Sequence, residues 1–148
     1  MANDQLPIVE ARSADDRVMT MLRERALGAM ARAYAPYSGF RVGAALLATD
    51  GSITEGCNVE NASFPAGICA ERGAVAAAVA RGNRDFESIT IATEADEPTP
   101  PCGICRQVLE EFSPQLLVVS VTAGGREARW SLEELLPRAF TPKSLDRR

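Results

Sequence analysis

Histidine is absent from this chain of 148 residues. Its absence removes the commonest general base, the usual base partner of a nucleophilic serine or cysteine, and every zinc site that needs imidazole. Long apolar runs are also missing, because no stretch approaches the ~20 residues that span a bilayer. Residues 1–11 lack the basic start and apolar core of a signal peptide. We therefore expect a cytoplasmic protein without a membrane partner, whose chemistry uses carboxylates, thiolates or a metal.

Basic residues are few. Sixteen Lys and Arg stand against twenty Asp and Glu, which gives a formal net charge of −4 and a pI of about 4.9. Long nucleic acids are poor candidate partners because phosphate binding relies on clustered Lys and Arg. Small molecules or other proteins are the expected partners.

The order of sequence patterns predicts one α/β domain. Residues 1–12 resemble a loose arm, residues 13–140 a single domain, and residues 141–148 a tail. Within the domain, alternation, helical spacing, caps and turn signals predict nine elements in the order α-β-β-α-β-α-β-β-α. This order implies a mixed sheet of about five strands with helices on its faces. The predicted ranges are a helix from a Ser13 cap to near Tyr34, a hairpin of strands 42–49 and 53–59, a helix 68–81, a strand 86–93, a helix from Cys102 or Gly103 to Phe112, strands 116–121 and 126–130, and a short helix capped by Ser131.

Four cysteines are present: Cys57, Cys69, Cys102 and Cys105. Disulfides are not expected, because a cytoplasmic chain of this size has a core of its own. Cys102 and Cys105 form a Cys-x-x-Cys at the start of a predicted helix, a spacing that lets two thiolates meet one ion. By itself the pair fits a zinc site no better than the alternatives, which are a redox dithiol or two buried thiols that bind nothing.

A third cysteine favours zinc. Cys69 also begins a predicted helix, and only one predicted strand separates that helix from the one at Cys102. Such a unit brings both helix N-termini to one edge of the sheet. Three protein ligands with an open position are typical of catalytic zinc, whereas a fourth ligand closes a structural site. Cys57 is the candidate fourth ligand, but it has no paired spacing, and we interpret it as a buried or partly buried thiol.

Two charged residues follow Cys69. Glu71 lies in the first helical turn, beside the expected metal, and is the candidate for moving protons between water and a substrate. The alternative is a glutamate whose negative charge only interacts favourably with the helix dipole. Arg72 is expected to donate hydrogen bonds to the cysteine sulfurs, with Arg106 as a weaker candidate and a solvated surface charge as the alternative.

Cys69-x-Glu71 followed by Pro101-Cys102-x-x-Cys105 matches the signature of zinc deaminases in its three-cysteine form. With these motifs, the chain resembles the small, homotetrameric cytidine deaminases of pyrimidine salvage over nearly all of residues 34–140. The resemblance rests on the segments 35–40, 56–62, 67–72 and 101–107. It implies a three-layer α-β-α sandwich, one Zn²⁺ per subunit held by three cysteines, and a nucleoside substrate.

The resemblance also implies a set of substrate-binding residues. Asn58 and Glu60 correspond to the pair that binds the ribose hydroxyls, Phe40 to a phenylalanine that lines the pocket, and Ala70 to an alanine whose backbone contacts the base. Phe140 corresponds to a phenylalanine that reaches a neighbouring subunit's site. Without the resemblance, the polar pair would be interpreted as strand-end residues and the two phenylalanines as core or interface aromatics.

Two positions depart from the family pattern. Arg41 stands where proline is common, and Phe64 stands near the sugar where tyrosine is common. Both bear on the ranking of substrates, and neither bears on the metal.

The resulting hypothesis is hydrolytic deamination of cytidine and deoxycytidine to the corresponding uridines and ammonia. A deaminase of a modified cytosine compound such as blasticidin S is the first alternative. A non-catalytic zinc module closed by Cys57 is the second.

Overall fold

The computed structural model describes residues 8–146. Its helices and strands follow the predicted order: α1 Ile8–Ala31, β1 Val42–Ala48, β2 Ile53–Cys57, α2 Ala70–Ala80, β3 Phe86–Thr93, α3 Gly103–Phe112, β4 Leu117–Thr122, β5 Glu127–Ser131 and α4 Leu132–Leu135. Short 3-10 turns at Phe64–Ala66 and Pro142–Leu145 were not predicted.

The start of the first helix is the main error in the predicted elements. α1 begins at Ile8 and not after a cap at Ser13. Glu10, Ala11 and Arg12 all have high helix propensity, so extending an existing helix through them costs little. A Ser-Asp capping signal marks the start of a helix only when the residues before it cannot be helical. Residues 1–7 of the predicted arm and residues 147–148 of the predicted tail lie outside the described residues.

The five strands form one mixed sheet in the order β2-β1-β3-β4-β5. β3 and β4 are parallel, and every other neighbouring pair is antiparallel. The parallel pair requires a crossover, which α3 supplies, whereas the outer strands are joined to their neighbours by short turns. The predicted mixed five-stranded sheet is confirmed.

Helices cover both faces of this sheet. Alternate residues of β1 point to opposite sides, so that Ala44 and Leu46 pack with α2 and α3 while Ala45 and Leu47 pack with α1. Each face has its own cluster of buried aliphatic residues. The fold is therefore the three-layer α-β-α sandwich that the family resemblance implies.

Two strand glycines allow the helices to approach the sheet closely. A Cβ at Gly43 would lie 2.0 Å from the carbonyl oxygen of Ala26 in α1, and one at Gly56 would lie 2.3 Å from that of Ala70 in α2. Both contacts are with backbone, which cannot move aside cheaply. Gly56 therefore sets how closely the N-terminal end of α2 sits on β2.

Within residues 8–146, none of the helices combines the length and the apolar character needed to cross a membrane.

Candidate active site

Three thiols meet where the N-termini of two helices converge. Cys69 is the N-cap of α2, Cys102 is the N-cap of α3, and Cys105 lies in the first turn of α3. Their sulfur atoms all lie within 4.8 Å of one another, and the Sγ atoms of Cys69 and Cys102 are 3.9 Å apart. β2 and β3 are both antiparallel to β1 and so run in the same direction. α2 follows β2 and α3 follows β3, so both helices begin at the same edge of the sheet, as the single strand between them predicts.

The spacing of the thiols fits zinc. Tetrahedral Zn²⁺ with Zn–S bonds of about 2.3 Å separates its sulfur ligands by about 3.8 Å, close to the observed separation of Cys69 and Cys102. Cys57 is not a member of the cluster found among the described residues. Its half-buried thiol lies 3.9 Å from the carbonyl oxygen of Arg32, beside α1. The donor set is therefore three thiols from this chain, which leaves a position open.

Positive potential surrounds the thiols. Two helix N-termini point at them, and Arg72 Nη2 lies 3.6 Å from Cys69 Sγ, the contact expected from the sequence. A hydrogen bond from Cys105 lowers the pKa of Cys69, and Arg72 lowers it further. The same bond to Cys69, together with burial, raises the pKa of Cys105. Zinc binding at this site therefore has to displace protons from thiols, which couples metal affinity to pH.

Glu71 lies in the first turn of α2, two residues after Cys69, and its side chain and backbone are only 4% exposed. Burial raises the pKa of this carboxyl group, opposed mainly by its hydrogen bond with Cys105. A carboxyl group that merely answered a helix dipole would face solvent. Glu71 instead faces the inside of the molecule, next to the thiol cluster.

A cavity of about 450 Å³ opens over this cluster. Most of the residues predicted for the site line it, whereas Phe140 and Cys105 do not. The lining includes Phe40, Asn58, Glu60, Phe64, Cys69, Ala70, Glu71, Arg72 and Cys102. Cys105 is fully buried below the cavity, and Phe140 is 59% exposed at another part of the surface. The cavity thus has one end at the thiols and Glu71, and another at Asn58 and Glu60.

Backbone hydrogen bonds fix the segment that carries Asn58 and Glu60. Val59, between them, exchanges two hydrogen bonds with Ile68, and Tyr34 bonds to both neighbours of Val59. The side-chain amide of Asn58 makes hydrogen bonds to two backbone groups of the cavity wall. Its Oδ1 accepts a hydrogen bond from Val42 N–H at 2.8 Å, and its Nδ2 donates one to the Phe40 carbonyl at 2.8 Å. The side chain of Asn58 is therefore held in one orientation.

The carboxylate of Glu60 is held by residues 37 and 38. It accepts hydrogen bonds from the backbone N–H of Tyr37 at 2.9 Å, from the N–H of Ser38 at 3.0 Å, and from the Ser38 hydroxyl. These bonds, the hydroxyl first, lower the pKa of Glu60. This end of the cavity therefore carries a fixed negative charge.

Comparison with known families agrees with this geometry. The family model for the cytidine and deoxycytidylate deaminase zinc-binding region matches residues 14–121. The chain belongs to this deaminase family. The thiol cluster is accordingly the family's zinc site.

Named relatives in the deaminase family are similar over most of their length. A cytidine deaminase from Halalkalibacterium halodurans is 43% identical over 127 residues, which are 85% of this chain and 96% of the relative. The crystal structure of cytidine deaminase from Burkholderia pseudomallei matches with a TM-score of 0.79 at 47% identity, over 82% of this chain and 98% of that one. A blasticidin-S deaminase from Bacillus cereus is 30% identical over 108 residues, covering 68% of this chain and 76% of the relative.

Sequence reasoning missed several residues of the deaminase cavity. Ser38 lines it and holds Glu60, and the hydroxyl groups of Thr93 and Thr99, 3.3 Å apart, form another part of the wall. The available signal for Ser38 was its position in segment 35–40, one of the segments on which the family resemblance rests. Thr99 lies in a proline-rich loop with no periodicity, and nothing in the sequence pointed to it.

Arg106 does not contact the sulfurs. Its Nε donates to the Pro101 carbonyl at 2.7 Å, and its Nη1 donates to the Leu135 carbonyl at 2.9 Å. It ties the residue before Cys102 to the end of α4.

Proposed function

We propose that the protein catalyses the zinc-dependent hydrolytic deamination of cytidine and deoxycytidine, giving uridine and deoxyuridine with release of ammonia, as a step of pyrimidine salvage. One observation carries this proposal. A single cavity joins a metal end, formed by the three-thiol zinc site and buried Glu71, to a sugar end, formed by the fixed polar pair Asn58 and Glu60. A cytosine base and its sugar need groups of these two kinds in one cavity.

Cys69, Cys102 and Cys105 would hold one zinc ion per subunit, and Glu71 would be the catalytic residue. Bound zinc supplies a nucleophile by lowering the pKa of water. Glu71 would take one proton from the attacking water and deliver it to N3 of cytosine. It would then take the remaining proton from the hydroxyl group added at C4 and pass it to the departing amine, which leaves as ammonia. Its burial beside Cys69 excludes bulk solvent, which would compete for the proton. Arg72 offsets the negative charge of the thiolates through its contact with Cys69.

The other cavity residues would hold the nucleoside. Ala70 is fully buried and presents its backbone to the base, and Phe40 packs against the nucleoside. Asn58 uses one of its two N–H groups on the Phe40 carbonyl, so the second can donate to a sugar hydroxyl. Glu60 accepts from the hydroxyl groups. Phe64, 77% exposed and in edge contact with Tyr37, closes the sugar end without a hydroxyl of its own.

Charge favours free nucleosides over nucleotides and nucleic acids. Among residues 8–146, the only cationic side chain that lines this cavity is Arg72, at the metal end. The sugar end carries the Glu60 carboxylate, and none of the described residues that line this end is a Lys or Arg that could compensate a phosphate attached to the sugar. We therefore expect little turnover of phosphorylated or strand-embedded cytosine.

A modified cytosine nucleoside such as blasticidin S is the alternative substrate, supported by the likeness to the Bacillus cereus enzyme. Asn58 and Glu60 favour the ordinary ribosides, because their orientation suits a pair of sugar hydroxyls.

The assembly we propose is a homotetramer in which Phe140 reaches a neighbouring subunit's site. Phe140 does not line the cavity of its own chain and is largely exposed, while Gln107 Nε2 holds its carbonyl at 2.7 Å. Large exposed side chains such as Phe64 and Ile104 add apolar surface that a second copy can cover. We further propose one deaminase domain over residues 13–140, flanked by the arm and the tail, and a cytoplasmic location.

The test is the ultraviolet absorbance of cytidine during incubation with zinc-loaded protein, with chelator-treated protein as the control. A decrease that depends on zinc, with uridine as the product, supports the proposal. No change with zinc bound would contradict it, and blasticidin S would then be tried in the same assay.

A further inference from the structure

An ion pair joins two walls of the cavity. Arg41 directly follows Phe40, and Glu94 directly follows Thr93; both Phe40 and Thr93 line the cavity. Arg41 Nε lies 2.8 Å from Glu94 Oε1, Nη2 contacts the same oxygen, and the backbone N–H of Arg41 donates to Glu94 Oε2 at 3.2 Å. One carboxylate therefore holds both the side chain and the backbone of Arg41.

This pair lies where the ladder between β1 and β3 ends. The last residues in register are Val42 and Thr93, and the two strands are antiparallel. Arg41 and Glu94 therefore stand opposite each other one position beyond the ladder. Opposite charges at facing positions stabilise an antiparallel pair, so the contact prolongs the pairing as far as the cavity mouth.

The ion pair completes a set of bonds around the backbone of Phe40. The N–H of Phe40 donates to the Ser38 hydroxyl at 3.0 Å, and its carbonyl accepts from Asn58 Nδ2. Ser38 in turn holds Glu60. Glu94 fixes the next peptide N–H along the chain, that of Arg41. Phe40 thus sits in a hydrogen-bond network whose other members include both proposed ribose-binding residues.

We propose that Arg41 and Glu94 are positioning residues that set the affinity of the cavity for its nucleoside. They do not touch the substrate, and they act by holding Phe40 and Thr93 at a fixed separation. This inference rests on the proposed function, since it assigns the residues that orient the same sugar end. The pair is partly solvated, with its side chains 45% and 31% exposed, so the expected effect is modest.

The test compares zinc-loaded wild-type protein with Arg41→Gln, Glu94→Ala and the double variant. We expect KM for cytidine to rise roughly threefold in Glu94→Ala and less in Arg41→Gln, because exposed ion pairs contribute little and Glu94 also accepts from the backbone. The double variant should resemble Glu94→Ala, since the two residues share one interaction. The kcat should stay within about twofold, as expected for lost ground-state binding.

The matched control is Arg23→Gln. Arg23 makes an ion pair of similar exposure with Glu127 at 2.9 Å, and neither residue lines the cavity. Its KM should equal that of the wild type.

Raising the salt concentration from about 0.1 M to about 1 M should increase KM in the wild type and the control but not in the double variant, because salt screens the charges.

Binding of uridine, followed by calorimetry, separates this inference from the proposed function. If the wild type fails to deaminate cytidine, the proposed function is wrong, and the change in uridine affinity still tests the pair. An unchanged KM and unchanged uridine affinity in Glu94→Ala would overturn the inference. A loss of kcat or of bound zinc that exceeds the change in KM would also overturn it, because the pair would then act on overall structure.

Discussion

The two ends of the cavity are built by different means. At the metal end, Cys69, Cys102 and Glu71 stand at the N-termini of α2 and α3, so secondary structure itself delivers them. At the sugar end, Asn58 and Glu60 lie in irregular chain. Asn58 is held by the bond it donates to the Phe40 carbonyl, and Glu60 by the bonds it accepts from Ser38. The proposed reactive groups are thus fixed by helices packed on the sheet, whereas the proposed recognition groups depend on a network of partly exposed loop residues. Changes at the metal end should therefore abolish chemistry, and changes at the sugar end should weaken binding.

The largest effect is expected from removing a zinc ligand. Replacing Cys69, Cys102 or Cys105 by Ala leaves two thiols, which cannot hold the ion in a catalytic geometry. Zinc content measured by atomic emission should fall well below one ion per chain, and turnover should disappear. Full metal occupancy in any one variant would remove that cysteine from the ligand set.

Cys57→Ala is the control for the ligand variants. Its thiol lies beside Arg32 and outside the cluster, so zinc content and activity should stay at the level of the wild type. Loss of zinc from this variant would instead indicate a closed structural site.

Glu71→Gln should separate chemistry from binding at the metal end. The amide keeps the shape of the side chain but cannot carry a proton, and general acid–base catalysis contributes about 100- to 10,000-fold. We expect kcat to fall by about that factor while zinc content and uridine affinity persist. The measurement is steady-state turnover together with calorimetric binding of uridine. Near-normal kcat would contradict the role of Glu71.

Asn58→Ala should reveal the contrasting behaviour of the sugar end. It removes a donor to the sugar and also the bond that orients Phe40, so KM for cytidine should rise roughly tenfold, the range of one or two lost hydrogen bonds. Zinc content should not change. If kcat fell as steeply as in Glu71→Gln while KM stayed constant, the two ends would not differ in function.

The smallest effect concerns pH and stability. The bonds from Ser38 and Tyr37 depress the pKa of Glu60 below its ordinary value of 4.5. Folding therefore favours the charged form of Glu60. The stability that this charge contributes is present above the ordinary pKa and is lost as pH falls through the lowered pKa. Glu60→Gln should lower the thermal unfolding midpoint at pH 7, and the gap to wild type should narrow below pH 4.5.

Glu87→Gln, an exposed position on β3, controls for the loss of a charge in that experiment. A gap between Glu60→Gln and the wild type that stays constant with pH would show that the carboxylate is not stabilised by its partners.

The same contrast explains how far the sequence could be interpreted. The metal end was predictable from residue spacing, because helix starts and a crossover bring Cys69 and Cys102 together in few possible ways. The roles of Asn58 and Glu60 came only from family resemblance, since a polar residue after a strand has no pattern that distinguishes binding from solvation. Ser38 and Thr99 act through contacts that only the folded chain brings together. The helix start at Ile8 was missed because a local capping signal lost to the propensity of the residues before it.

The measurement that tests the account most directly is kcat/KM for cytidine and for free cytosine with the same zinc-loaded protein. Both compounds carry the reacting amino group, but only cytidine offers hydroxyl groups to Asn58 and Glu60. We expect cytidine to be preferred by about 100-fold or more, as two or more hydrogen bonds to polar or charged groups would produce. Equal kcat/KM values would contradict the assignment of the sugar end, and no turnover of either compound would contradict the proposed reaction.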